Sequence, residues 1–205
     1  MSKVQVDTID TRSGTSTMQI GSTNTSTINI GVSGDTVNIP SGVTIANAGT
    51  ATGFGDANTP SFGVRLSSDQ TVANQTSTKL ALATEDWDTD SAWNTSNYNF
   101  TVPSGKAGKY FFNGHVRILQ IWGHDSTAYF SQVQIRKNDS TVAEQRIYDY
   151  SATTKDLDLQ VSKILDLAVS DVIDFRVYHN GAGQQNQNIA SSVSSTWFVG
   201  CKVIT

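Results

Sequence analysis

The chain has a single cysteine, Cys201, in 205 residues. One thiol excludes an intrachain disulfide framework and any cysteine-based zinc cage. Its setting in the apolar run "TWFVGCKVI" predicts a small buried core residue. Charge is scarce as well, at 16% of residues, and fourteen basic against eighteen acidic side chains leave a net charge of −4. Lys106, Lys109, Arg136 and Lys137 stand among neutral residues and form no basic cluster, so nucleic acid is excluded as a partner. No apolar run approaches the roughly 18 residues that a membrane span needs. The opening "MSKVQVDTID" lacks an apolar signal core, which predicts no cleaved secretory signal. Catalytic signatures are missing too: there is no G-x-S-x-G elbow, no H-E-x-x-H and no phosphate-cradling glycine loop. The three histidines, His115, His124 and His179, lie in different segments. The expectation is a protein that is not an enzyme and carries no cofactor.

Aromatic residues are absent from the first 53 positions; all eighteen lie at Phe54 or later. A stretch so poor in large apolar groups buries too little area to offset the entropy of ordering its backbone, and as a lone chain it should not fold. What it does contain is a series of apolar pairs in a Ser/Thr/Asn/Gly background: Met18 and Ile20, Ile28 and Ile30, Val37 and Ile39, Val43 and Ile45. Each pair has the alternate spacing of a short strand with one buried face, and Gly21, Gly31, Gly34 and Gly42 supply turns. The pairs are unevenly spaced, which fits a regular solenoid poorly. Copies of the chain lying side by side would multiply the buried area. Residues 18–48 therefore read as a thin, β-rich, self-associating stalk, with a flexible tether as the alternative.

Residues 49–60 are small and Gly/Ala-rich and read as a linker. From Ser61 onward the texture changes to alternating strands. In "GKYFFNGHVRI" Tyr110, Phe112, Val116 and Ile118 share one parity, and in "DVIDFRVYHN" Ile173, Phe175 and Val177 do so. Helical periodicity is nearly absent. Residues 61–205 therefore predict an all-β antiparallel sandwich or barrel. Two segments, 110–112 and 197–199, are apolar on both parities, which predicts a second covered surface.

The segment "VPSGKAGKYFFNGHVRI" resembles the central strand of the complement component 1q globular-head family, through Gly108, Tyr110, Phe112, His115 and Val116. Further stretches fall in that family's order: "FSQVQIRKNDSTVAE", "ILDLAVSDVIDFRVYHN", and a last strand with Phe198, Gly200 and Ile204. Asp139 and Ser170 depart from it, standing where the family has glycine, so those turns are expected to be built differently. The resemblance implies a jelly roll of about ten strands, shared with tumour necrosis factor, and a homotrimer. Tyr110, Phe111, Phe112, Val116, Trp197, Phe198 and Val199 are then the residues expected to pack the core or the trimer axis.

Two polar stretches raise binding. "TEDWDTDSAWN" concentrates Asp86, Asp88 and Asp90, and calcium takes six to eight oxygen ligands. The EF-hand template fails there, because Ser91 replaces its glycine and Asn97 its final Glu. The competing reading is a solvated loop with Trp87 or Trp93 tucked into the barrel. "NGAGQQNQNIASSVSS" reads as a long loop whose Asn180, Gln184, Gln185, Asn186, Gln187 and Asn188 suit sugar hydroxyls, or as an inert solvated loop.

Finally, "KVQVDTIDTRSGTSTMQIG" and "VNIPSGVTIANAGTATGFG" resemble the openings of structural proteins of marine bacterial viruses. This implies location on the virion. Residues 1–17 would anchor to other virion proteins, and the head would attach to a host surface glycan or protein. A capsid-decorating or connector protein and a cell-encoded adhesin are the alternatives.

Overall fold

The computed structural model describes residues 20, 23–24, 26–46, 58–121, 130–148, 155–180 and 186–203. The chain divides into two units, Met1–Ala51 and Thr52–Thr205.

Within the described part of the first unit, turns recur at 23–24, 33–34 and 41–42. Asp35 closes one of them: its amide donates to Val32 O at 3.0 Å, and its Oδ2 accepts from Val32 N at 2.9 Å. Gly34 and Gly42 hold φ of 96° and 84°, which favours glycine. The expected short strands do not form within one chain; the described residues between the turns carry no ladder and are exposed. Ile30 and Ile45 remain 69% and 56% exposed. The physical reason is that a single chain offers these strands no partner edge and too little apolar area. Met18 lies outside the described residues.

The second unit contains thirteen strands among its described residues. They are β1 (Ser61–Arg65), β2 (Gln70–Val72), β3 (Thr78–Lys79), β4 (Thr84–Asp88), β5 (Trp93–Asn94), β6 (Asn99–Thr101), β7 (Gly108–Ile121), β8 (Phe130–Lys137), β9 (Ser140–Tyr148), β10 (Lys155–Leu167), β11 (Val172–Asn180), β12 (Gln187–Ile189) and β13 (Trp197–Lys202). The count exceeds the expected ten because five of these have only two or three residues. Every described pairing is antiparallel.

The first sheet is built around β7. Along one edge β10 pairs from Leu167↔Gly108 to Lys155↔Ile121. Along the other, β13 pairs at Cys201↔Phe111 and β12 at Ile189↔Ile118, with β1 and β4 continuing beyond β13 and β2 beyond β12. The second sheet runs β5-β6-β11-β8-β9, with β3 also on β11. The fold is an all-β sandwich of two antiparallel sheets.

Alternation places one parity of each sheet between them. Phe62, Phe100, Tyr110, Phe112, Val116, Phe175 and Phe198 are all essentially inaccessible. Phe175 and Phe198 stack at 4.9 Å across the sandwich, and each such ring buries roughly 150–250 Å². Close approach of these rings depends on glycine: a Cβ at Gly114 would stand 2.5 Å from Phe175 Cζ. Tyr110 hydrogen-bonds Lys106 O at 2.6 Å, and burial, with Asp90 nearby, pushes its pKa up to about 12.

The two turns expected to be built differently keep the backbone conformation that glycine would take. Asp139 and Ser170 sit at φ of 62° and 69°. Side chains hold them there. Asn138 Nδ2 donates to Asp171 Oδ1 at 2.7 Å, and Asn138 Oδ1 accepts from Val172 N at 2.9 Å. Asp171 also accepts from Ala168 N and pairs with Lys137, each at 2.7 Å. Burial would raise the Asp171 pKa, but these donors outweigh it and hold the carboxyl below its ordinary value.

Candidate assembly face

The outward parity of the first sheet carries a row of large apolar groups. Position by position, Ser61 pairs with Cys201, Cys201 with Phe111, and Phe111 with Ile164. One rung along, Trp87 pairs with Gly63 and Gly63 with Val199. Phe111 is 37% exposed, Trp87 49% and Ile164 56%. Between Trp87 and Phe111 lies an open depression of about 370 Å³, lined also by Asn58, Ser61, Val199, Gly200 and Cys201.

Further along the same face the chemistry turns polar. The Trp197 indole stacks on His115, with ring centroids 5.9 Å apart. His115 Nδ1 lies 2.7 Å from Ser195 O, and its Nε2 lies 3.4 Å from Asp158 Oδ1. Arg117 grips the same carboxylate with two nitrogens, at 2.9 and 3.1 Å, and these contacts raise its pKa. Arg65 meets Asp86 at 2.9 Å. An apolar centre beside paired charges is the make-up of a protein–protein contact surface.

The seven residues expected to pack core or axis divide cleanly. Tyr110, Phe112, Val116 and Phe198 face the core, whereas Phe111, Trp197 and Val199 face outward. Cys201 is corrected from a core residue to a partly exposed one on this outer row. Its shared parity with Trp197 and Val199, opposite Phe198, was the available signal. Trp93 is the tryptophan tucked inside, its Nε1 donating to Leu82 O at 3.0 Å. Trp87 is not tucked in; it and Ile164 join the outer row because of strand neighbours distant in sequence.

The calcium candidates do not converge. Asp86 is taken by Arg65, Asp88 accepts from the Trp93 amide at 2.8 Å, and Asp90 accepts from Thr89 Oγ1 and lies 3.7 Å from Lys106. Among the described residues no group of three or more His, Cys, Asp or Glu side chains is placed to hold a metal ion.

The polar stretch after β11 is also corrected: it contains strand β12, so it is not one long loop. Gln187 is buried, at 5% exposure, and is withdrawn as a receptor contact. Asn188 is exposed but accepts from Thr71 Oγ1 at 2.8 Å, and Asn180 accepts from Gln75 Nε2 at 3.2 Å. Asn186 is exposed, while Gln184 and Gln185 lie outside the described residues.

No protein-family model matches the chain, and no curated protein matches it. Among solved structures, the chain is similar to the globular domain of the zebrafish complement 1qA protein. The identity is 16% and the TM-score 0.49, over 70% of this chain and 97% of that one.

Proposed function

We propose that the chain is a self-assembling, non-catalytic binding module: a homotrimeric fibre or spike of a bacterial virus, whose head attaches to the host surface. The observation that carries the reading is the outer row of Trp87, Phe111 and Ile164, which a lone chain leaves exposed, with half-buried Val199 beside them. Covering such a row with identical neighbours removes apolar surface at about 25 cal/mol per Å². The exposed apolar pairs between residues 26 and 46 call for the same partner, another copy of the chain. The viral setting is supported by the resemblance of the N-terminal stretches to virion structural proteins.

Light scattering after gel filtration tests the assembly. The full chain is expected at three times its 22.1 kDa mass, and Phe111→Asp is expected to lower that mass while leaving the β-sheet circular dichroism intact. A monomeric wild-type chain would sink the fibre reading. Gold-labelled antibody on purified virus particles tests the location. Label on fibres supports attachment, label spread over the capsid means a decorating protein, and no label on particles means a cell-encoded adhesin.

A further inference from the structure

The outer face of the second sheet carries a cluster that the assembly face does not use. Phe130, at the start of β8, stands between Tyr178 of β11 and Tyr148 of β9. Its ring centroid is 5.4 Å from the first and 5.7 Å from the second. The Arg146 guanidinium lies 4.2 Å from the Phe130 centroid, a cation–π contact. One rung along, Gln132 pairs in register with Tyr178 on one side and Arg146 on the other. Gln132 is 3% exposed although it points outward, and both ends of its amide are engaged. Gln132 Nε2 donates to Glu144 Oε2, and Gln132 Oε1 accepts from Arg146 Nη2 at 3.0 Å. Arg146 and Glu144 also lie 3.7 Å apart.

We infer that this surface binds a neutral saccharide, with Tyr148 as its principal stacking ring. The inference names the ligand class for the attachment proposed above and rests on it. The pyranose ring presents a face of C–H groups that packs on an aromatic plane, and a rim of hydroxyls that both donate and accept. The rings supply the first need, and Arg146 and Glu144, with side chains 35% and 45% exposed, leave a donor and an acceptor at the edge of the patch, all held on strands without a loop having to order. Tyr148 is 46% exposed, leaving area for a ligand to cover. Charge decides between ligand classes. Glu144 and Arg146 offset one another, so the patch has no field to draw a polyanion, and its guanidinium is already committed to Phe130 and Gln132.

The test is saturation-transfer NMR on the full chain with maltohexaose, cellohexaose and mannohexaose, and with polygalacturonate as the charged control. At least one neutral hexasaccharide is expected to bind. Tyr148→Ala is expected to weaken it about tenfold, since loss of one central anchor typically costs that much. Tyr148→Phe, which keeps the ring, should retain binding. Phe111→Asp should bind sugar per chain as well as wild type whatever its mass, which separates this inference from the trimer. The inference is overturned if no neutral probe binds, if polygalacturonate binds better, or if Tyr148→Ala binds unchanged. Attachment to periodate-treated cells that is abolished by Tyr148→Ala would make the partner a protein and overturn it as well.

Discussion

A Cβ built on Gly63 would stand 2.3 Å from Cζ3 of Trp87. The indole therefore occupies the space that any side chain at position 63 would need, and the shape of the outer row depends on that missing group. Gly63→Ala is expected to drive the indole off the sheet or cost about 1–3 kcal/mol in strain. The scattering mass of the full chain should fall below trimer while the circular dichroism stays that of a folded sandwich. An unchanged trimer would mean that Trp87 is not part of the contact.

The core repeats this dependence with less room to adjust. Phe175 is fully buried, and its ring atoms lie 2.5–2.8 Å from where a Cβ of residue 114 would sit. Gly114→Ala should lower the melting temperature by roughly 3–10 °C, as overpacking in a domain of this size does. Thermal denaturation followed at 218 nm checks it.

Ser170 is exposed and held at φ 69°. Its backbone conformation costs an L-residue about 1 kcal/mol that glycine avoids. Ser170→Gly is expected to raise the melting temperature by about 2–4 °C. A lower value would show that the hydroxyl contributes more than the backbone strain removes.

His179 is buried, with Nε2 donating to Val72 O at 3.2 Å and Nδ1 without a hydrogen-bond partner among the described residues. Burial lowers its pKa from the ordinary 6.5, against the smaller opposing effect of the Val72 carbonyl. A depressed folded pKa means that the unfolded chain takes up the proton first. Its contribution to stability is thus present above pH 6.5 and is lost as pH falls from there toward the folded value. Melting temperature should decline between pH 7 and 5, and His179→Gln should flatten that decline. Equal slopes in the two proteins would show that another group governs the acid limb.

How much of this was legible beforehand depended on range. Strand parity is local, so Tyr110, Phe112, Ile173, Phe175 and Val177 could be assigned to one buried face from a two-residue period. The double apolar character of 110–112 and 197–199 marked an outer apolar row, because a strand with one face in the core ordinarily alternates with polar groups on the other. Gln187 could not be read this way: "QQNQN" is polar at every position, so nothing local distinguishes a buried amide from exposed ones. Its burial follows from pairing with Val72, more than a hundred residues away. Nor could Asp86, Asp88 and Asp90 be told apart, since their partners Arg65, the Trp93 amide and Lys106 come from different segments.

The sequence by itself determined the all-β class, the division between an aromatic-poor segment and an aromatic-rich head, and which parity of β7 and β11 is buried. Composition and period act through neighbours one or two residues away, and those neighbours are present in the string. Tertiary structure alone decided that Trp87 joins Phe111, Val199 and Ile164 in one row, and that Phe130, Tyr148 and Tyr178 form another patch. Such groupings arise from strand order and register, which are set by how whole sheets close over a shared core.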